Sequence, residues 1–288
     1  MTHNEKHQKL KRALENINSL PAMPATAQKL LALPLDTDAG ETQLIRLIGQ
    51  DPQISARIVG LANSPIMGLT RKINRVDEAA MLLGMSKVKS VAVGIASMSN
   101  FVKLPPGRNF DPQDLWLHSM TIAIAMGDIA RAIPLAQRPN EDQIFLSGLL
   151  HDIGFMALHH VDSAASDELH FQIQQQAERP IQEIEMEILG ITHCQIGALL
   201  GQHWHLPPEI LAVLAHHHPS DANQIAGTNT QLRLVVLAEK LLADFGITEH
   251  TGSAITEQEW QALGIDPGRA NDIQLSVNEL AMQTSQLG

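Results

Sequence analysis

Apolar residues recur every three or four positions along most of this chain, which is the spacing of one face of an α-helix. A representative stripe consists of Val88, Val91, Ile95 and Met98. The alternating pattern of a half-buried strand does not extend over any useful length. Helix starts are marked by Asp51-Pro52 and by the capping-box patterns Thr192-x-x-Gln195 and Thr256-x-x-Glu259. The sequence therefore predicts an all-α protein.

The clearest interruption of the helical pattern is Leu104–Asn109, where two prolines and a glycine follow one another. We place a boundary there between an N-terminal helical lobe, residues 1–106, and a second helical lobe with a C-terminal extension, residues 107–288. The tail from Gly246 onward has a weaker pattern, and we expect it to be looser. A chain of 288 residues is long enough to bury a core in both lobes.

Charge and composition exclude several functions. The chain has 20 basic and 31 acidic residues, a net charge of −11, and an acidic surface repels nucleic-acid phosphates. Aromatic residues make up 3% of the chain and tyrosine is absent, so bases would find few rings on which to stack. We therefore expect no nucleic-acid partner.

The termini and the single cysteine bear on location. The polar N-terminus has no apolar signal core, and no run of about 18 apolar residues suggests a membrane span. Cys194 is the only cysteine, which excludes an internal disulfide and a cysteine-rich metal cage. We expect a cytoplasmic protein with no membrane partner.

One dipeptide, His151-Asp152, interrupts the apolar run Gly148–Gly154. An unpaired carboxylate in a core costs several kcal/mol, on the order of the stability of a whole domain. A divalent metal would neutralise Asp152 and bind the imidazole of His151. A buried His–Asp hydrogen bond without a metal is the other solution that the dipeptide allows.

Helical phase points to further ligand-type residues on inward faces. His118 lies on the stripe of Leu115 and Ile122, and His217 on that of Val213. Phase selects His217 from the triplet 216–218 and directs His216 and His218 to the surface. Two more candidates are His193, in the first turn after the cap Thr192, and Glu239, between apolar residues on both sides.

Together these candidates form a mixed imidazole and carboxylate set on successive helices: His118, His151, Asp152, His193, His217 and Glu239. Helix bundles build metal sites from facing helices in this way. A set without thiolate suits iron, manganese or zinc. A polar network without metal stays open as the alternative.

Basic residues cluster locally in this acidic chain at Arg71, Lys72, Arg75, Lys87, Lys89 and Lys103. Such a run is usually a solvated helix face, and it could also bind an anionic ligand or an acidic partner. Cys194 we interpret as a small helix residue, since a thiol without a visible base is a weak nucleophile.

An ordered set of motifs resembles the HDOD domain, the HD-related output domain of bacterial signalling proteins. The motifs run from about residue 15 to about residue 245 and comprise Leu20–Pro24, Gln50–Pro52, Leu61–Ser64, Ala79–Gly84, Gly148–Gly154, Thr192–Gly197, Trp204–Pro207 and His216–His217. The resemblance implies an N-terminal helical lobe packed on an HD-like helical bundle. It also implies a regulatory role without an established general catalytic activity.

The wider HD superfamily consists of metal-dependent phosphohydrolases, and the resemblance carries their ligand pattern onto this chain. It implies that His118, His151, Asp152, His193, one or both of His216 and His217, and Glu239 hold the metal. Glutamate at 239 departs from the usual aspartate, and its extra methylene changes the reach of the carboxylate.

Two further departures concern phosphate handling. Enzymes of this superfamily that cleave cyclic dinucleotides often carry lysine where this chain has Phe155. They also carry a Gly-Tyr-Pro element after the paired histidines, where this chain reads His218-Pro219-Ser220-Asp221. We therefore expect a non-catalytic signalling module that binds a ligand, or a signalling protein partner in trans. The alternative is a metal-dependent phosphohydrolase acting on a nucleotide or phosphodiester. Catalytic residues, oligomeric state and input signal are not assigned.

Overall fold

The all-α prediction is confirmed. The computed structural model describes residues 3–15, 19–63, 71–218, 229–242 and 254–284, and within these ranges the regular elements are helices, without strands. The α-helices are α1 (His3–Glu15), α2 (Ala25–Leu31), α3 (Asp38–Gly49), α4 (Pro52–Ala62), α5 (Val76–Leu83), α6 (Met85–Met98), α7 (Pro112–Ala132), α8 (Glu141–Leu150), α9 (Ile153–Val161), α10 (Ser163–Gln175), α11 (Ile181–Ile188), α12 (His193–His203), α13 (Pro208–His216), α14 (Thr230–Leu241), α15 (Glu257–Ala262) and α16 (Ala270–Thr284).

The helix starts follow the sequence signals. Asp51 caps α4 by accepting hydrogen bonds from the backbone N–H groups of Gln53 and Ile54. Thr192 and Thr256 both form complete capping boxes, at α12 and α15. Gly84 separates α5 from α6 at φ 85°, a left-handed value that favours glycine. Local sequence chemistry thus fixes where these helices begin and end.

The N-terminal helices pack around α6. Helices α2, α4 and α5 contact α6, and α6 in turn packs along α8. Because of that contact, one hydrophobic cluster runs from Leu10 to Leu214 and crosses the region of the predicted lobe boundary. The chain between α6 and α7 has no helix of its own, as its prolines require, and Phe101 and Phe110 anchor it in the core. The division at residue 106 stays a prediction.

The centre of the second half is α7, which contacts α8, α14 and α16. The expectation of a loose tail is wrong for α16, whose residues Ile273, Val277 and Ala281 are buried in a second hydrophobic cluster. The Ser276 hydroxyl also donates a 2.7 Å hydrogen bond to Asp128 Oδ2 on α7. Residues 243–253, which include the start of the predicted tail, lie outside the described residues.

One stretch, Gln143–Val161, is long and apolar enough to cross a membrane by length and composition alone. Within the fold 89% of this window is buried. It comprises most of α8 and all of α9, which pack against α6, α7 and α12. Contacts with other helices of the protein therefore account for its hydropathy.

Candidate metal centre

The His151-Asp152 pair lies at the break between α8 and α9, with a glycine three residues before it and another two residues after it. A Cβ on Gly148 would come within 2.6 Å of the Ala123 Cα in α7, and one on Gly154 would overlap the carbonyl oxygen of His193 in α12. Only glycine therefore allows α8 and α9 to approach their neighbours this closely. These two crossings bring α7 and α12, with their histidines, to the pair.

The structure brings all six predicted site residues together. Their exposed fractions are 3% or less. They come from α7, the α8–α9 break, α12, the C-terminal end of α13 and α14. Their assignment as metal ligands stays a prediction, but their convergence in one buried cluster does not depend on it.

Asp152 joins two halves of this cluster, one at each carboxylate oxygen. Its Oδ2 lies 2.9 Å from His151 Nε2 and 3.5 Å from His118 Nε2. Glu239 Oε1 completes this half at 2.8 Å from His151 Nε2 and 3.4 Å from His118 Nε2. In the other half, Asp152 Oδ1 lies 3.1 Å from His217 Nε2 and 3.5 Å from His193 Nε2. These two nitrogens are 3.0 Å from each other.

These separations fit the ligand shell of a metal ion. Two ligands at right angles on an ion with bonds of about 2.1 Å are about 3 Å apart. Among the described residues, His151 Nε2, Asp152 Oδ2 and Glu239 Oε1 are fully buried and make no hydrogen bond of acceptable geometry, although they lie near one another. Buried polar atoms that converge without hydrogen bonding are the donor arrangement that a cation would satisfy.

A second layer orients three of the imidazoles. The Nδ1 atoms of His151 and His217 lie 2.7 and 2.9 Å from the carbonyl oxygens of Gly148 and Val213. The buried Glu185 accepts from both the backbone N–H of His193, at 3.0 Å, and its Nδ1, at 2.6 Å. In each ring this leaves Nε2 facing the cluster, as in metal sites whose histidines are held from behind.

Glu185 is a residue of this cluster that the sequence reasoning missed. It follows Ile181 by four residues and precedes Ile188 by three, so its helical phase already placed it near the inward stripe. Its neighbours Glu183 and Glu187 gave the segment the charge of a solvated face.

Charges within the cluster hold its groups in their ionised forms. Burial lowers the pKa of His118, but Glu239 and Asp152 raise it more, to about 9. Burial likewise raises the pKa of Glu239, but His118 and His151 lower it well below its usual range. In a metal-free centre protons on the imidazoles would therefore balance the carboxylates. A metal would displace those protons, so its affinity should rise with pH.

The histidine triplet differs from the prediction at one position. His216 is exposed, as expected. The prediction of a surface position for His218 is wrong, because this residue is half-buried and belongs to a ligand-type group with Asp152, His193 and His217. Helical phase failed here because the helical backbone of α13 continues through its C-cap, His217, and the phase no longer applies at the next residue.

Cys194 also contributes more than a small helix residue would. Its Sγ lies 3.5 Å from His193 Nε2 and 3.8 Å from His217 Nε2. Burial raises the pKa of this thiol, but the two histidines lower it more, to well below its usual value. The two imidazoles therefore favour the thiolate form of Cys194 over the thiol.

The basic run does not supply this cluster with a cation. Arg71 and Lys72 are exposed, and Arg71 pairs loosely with Glu78 at 3.9 Å. Arg75 pairs with Asp77. Lys89 donates to the carbonyl oxygen of Leu33. The solvated-face interpretation agrees with the structure for Arg71, Lys72 and Arg75, whereas Lys89 is half-buried.

Residues 20–220 match the HDOD domain, and the chain belongs to that family. A curated relative, an uncharacterized protein of Treponema pallidum, is 21% identical over 211 residues. These residues are 71% of this chain, and the chain spans only 38% of the relative's length.

Solved structures share the fold. A protein of Marinobacter aquaeolei, provisionally named for signal transduction, matches 99% of this chain and 64% of its own at 24% identity, with a TM-score of 0.74. An HDOD domain protein of unknown function from Geobacter sulfurreducens matches 96% of this chain and 98% of its own at 20% identity, with a TM-score of 0.73. A Shewanella amazonensis protein, provisionally named a metal-dependent phosphohydrolase, matches 98% of this chain and 99% of its own at 18% identity, with a TM-score of 0.65. At these identities the likeness concerns the fold alone.

Proposed function

We propose that this protein is a non-catalytic regulatory module, which binds a divalent ion in its buried centre and passes signals on by binding a ligand or a signalling protein. The observation that carries the proposal is the closure of the centre. All six donors are 3% exposed or less, so the described part of the chain leaves a phosphoester no open route to them in this conformation. A catalytic metal site keeps a position open for water and substrate, whereas a structural one is closed.

Phe155 strengthens the argument for closure. Its ring is fully buried and stacks on His193, with ring centres 4.2 Å apart and planes 18° apart. This is the position at which the cyclic-dinucleotide hydrolases of the superfamily often carry lysine. An apolar ring there occupies the space beside the centre and supplies no charge for a phosphate.

In this proposal the centre stabilises the packing between helices. When bound, the ion would supply positive charge between the carboxylates of Asp152 and Glu239. Four imidazoles would hold it: His118 on α7, His151 at the α8–α9 break, His193 on α12 and His217 at the C-terminal end of α13. Iron, manganese and zinc suit this donor set.

Metal content and hydrolysis test this proposal together. Protein purified without an affinity tag should contain iron, manganese or zinc by elemental mass spectrometry, and His151→Gln should lose most of it. After reloading with each metal, wild type and His151→Gln should hydrolyse nucleotides and phosphodiesters at the same background rate. A rate in wild type that disappears in His151→Gln would contradict the non-catalytic proposal.

One observation favours a second candidate, a metal-dependent phosphohydrolase. Asp152 offers one oxygen to each half of the cluster, as a carboxylate does between two ions in two-metal hydrolytic sites. This candidate requires the centre to open, and it predicts turnover that depends on both His118 and His193, one from each half. Single-turnover assays with His118→Gln and His193→Gln would separate it from the first proposal, which predicts no difference between these variants and wild type.

A further inference from the structure

A cavity of about 190 Å³ lies between the two predicted lobes, outside the candidate metal centre. Leu83 and Lys87 on α5 and α6 form one wall, and Gly127 on α7 and Phe145 on α8 form another. The loop after α7 closes the end with Arg138. Sites of drug-sized molecules commonly measure roughly 300–1,000 Å³, so this cavity would enclose the phosphate and the adjoining part of a small ligand and leave the remainder at its open side.

Cations line this cavity although the chain as a whole is acidic. Lys87, Arg131 and Arg138 all border it, and its described lining includes no carboxylate. Arg131, whose side chain is 64% exposed, forms a 3.1 Å ion pair with Asp128 on the same helix, and this pair offsets part of its charge. A concave surface lined by one sign of charge concentrates ligands of the opposite sign.

Arg138 is positioned more firmly than a surface arginine. One of its terminal nitrogens donates to the carbonyl oxygens of Arg131 and Ile133, at 2.9 and 3.0 Å. Its Nε is buried and makes no hydrogen bond to any described residue. A guanidinium fixed at one edge and bordering a cavity is suited to a planar or tetrahedral anion.

The remaining walls are apolar. Leu83 and Phe145 are 7% and 2% exposed. A Cβ on Gly127 would meet no atom within 4 Å, so the surface of α7 is open at this point. A ligand that fits this lining therefore needs a strong anionic group and an apolar or ring-bearing part.

From these contacts we infer that the cavity between α5–α6 and α7–α8 binds a small organic phosphate, no larger than a nucleoside monophosphate. Its phosphate contacts Lys87, Arg131 and Arg138, and its ring lies against Leu83 and Phe145. The inference deepens the proposed function and rests on it, since it identifies the ligand class of the module. Because residues from both lobes contribute, the bound ligand would strengthen the contact between them.

Isothermal titration with AMP, GMP, adenosine and inorganic phosphate tests the inference on the full chain. AMP or GMP should bind and raise the melting temperature. Adenosine and inorganic phosphate should each bind at least about tenfold more weakly, because each lacks half of the recognised chemistry. Inorganic phosphate binding as tightly as the nucleotides, or no binding of either nucleotide at millimolar concentration, would overturn the inference.

Variants locate the binding. Arg138→Gln and Lys87→Gln should each weaken nucleotide binding about tenfold or more through loss of a charge-assisted hydrogen bond. Gly127→Leu should abolish it by filling the cavity from a position where an added Cβ meets no atom within 4 Å. Lys103→Gln, the loss of an exposed lysine outside the cavity lining, should leave affinity unchanged. Unaltered affinity in Arg138→Gln and Gly127→Leu would overturn the assignment.

The two proposals fail separately. Hydrolysis that depends on His151 would refute the non-catalytic role and leave nucleotide affinity at Arg138 untouched. An absence of hydrolysis together with an absence of nucleotide binding would overturn only the cavity assignment.

Discussion

Two groups of buried histidines lie in the part of the chain that the structure describes, and they differ in what their nitrogens face. In the candidate metal centre the Nε2 atoms of four imidazoles converge on Asp152 and Glu239. In the second group, His159 Nε2 lies 2.9 Å from the carbonyl oxygen of Pro105, and His170 Nδ1 lies 2.8 Å from that of Ser166. The ring of Phe110 packs on both, with centroids 5.0 and 4.4 Å away.

The comparison shows that burial alone does not identify a ligand. His159 and His170 are each 4% exposed, and they contact backbone carbonyls and aromatic rings. The carboxylate beside them, Asp167, accepts from the backbone N–H groups of Arg108 and Asn109. Among the described residues, both groups of three or more close ligand-type side chains contain Asp152, and neither contains these two histidines. A convergent carboxylate is what separates the two groups.

Asp152→Ala should have the largest effect. It removes the carboxylate shared by both halves and leaves buried imidazoles facing one another, so we expect a loss of about 3–5 kcal/mol in the free energy of unfolding. Urea denaturation followed by circular dichroism measures this loss. Asp272→Ala, on the exposed face of α16, is the control and should change stability by less than about 0.5 kcal/mol. Similar losses in the two variants would contradict the central role of Asp152.

Glu185→Ala tests the layer behind the ligands. It deprives the backbone N–H and the Nδ1 of His193 of their acceptor, which should cost about 1–3 kcal/mol. Loss of this orienting group should also lower metal affinity about 10- to 100-fold. Competition with a chelator measures the affinity, with Glu187→Ala, an exposed glutamate of the same helix, as the control. Unchanged affinity in Glu185→Ala would show that His193 does not hold the ion.

His170→Leu tests the second group. It removes one hydrogen bond to a backbone carbonyl while keeping an apolar side chain of similar size, so we expect a loss of about 1 kcal/mol. Metal content, measured by elemental mass spectrometry, should equal that of wild type. A loss of metal in this variant would abolish the distinction between the two groups.

Asp167→Asn should have the smallest effect at neutral pH. Burial raises the pKa of Asp167, but the N–H groups of Arg108 and Asn109 lower it more, to below its usual value. A carboxylate with a lowered folded-state pKa stabilises the fold above its unfolded pKa of about 3.9, and this stability is lost as the pH falls further. The asparagine variant should lose less than about 1 kcal/mol at pH 7 because the site is partly solvated.

Unfolding measured from pH 6 to pH 2 checks this expectation. The difference in the free energy of unfolding between wild type and Asp167→Asn should narrow on acidification, because protonated Asp167 no longer accepts hydrogen bonds as a charged group. A difference in the free energy of unfolding that widens at low pH would contradict the lowered pKa of Asp167.

Most of the centre could be predicted because its residues lie on regular helices. Helical phase selected His217 from three adjacent histidines, and it identified Glu239 as an inward carboxylate. It missed His218, which follows the end of α13, and Glu185, whose charged neighbours concealed its position. The apolar spacing of α16 was present in the sequence, but its polar surroundings led us to expect a loose tail.

The cavity between α5–α6 and α7–α8 could not be predicted in the same way. Lys87 stood out as part of a basic run, but Arg138 is 51 residues away and carries no local signal. Their proximity depends on the packing of α6 along α8 and on the turn after α7. Such contacts between distant segments are set by tertiary structure, which helical periodicity does not encode.

The position of Glu239 has a practical consequence for anyone who divides this chain into fragments. The family match ends at residue 220, whereas the carboxylate that faces His118 and His151 lies on α14 (Thr230–Leu241). A fragment cut at the family boundary would retain five of the six donors and lose the negative charge that balances two of them. The smallest piece that carries the complete centre therefore extends at least to the end of α14.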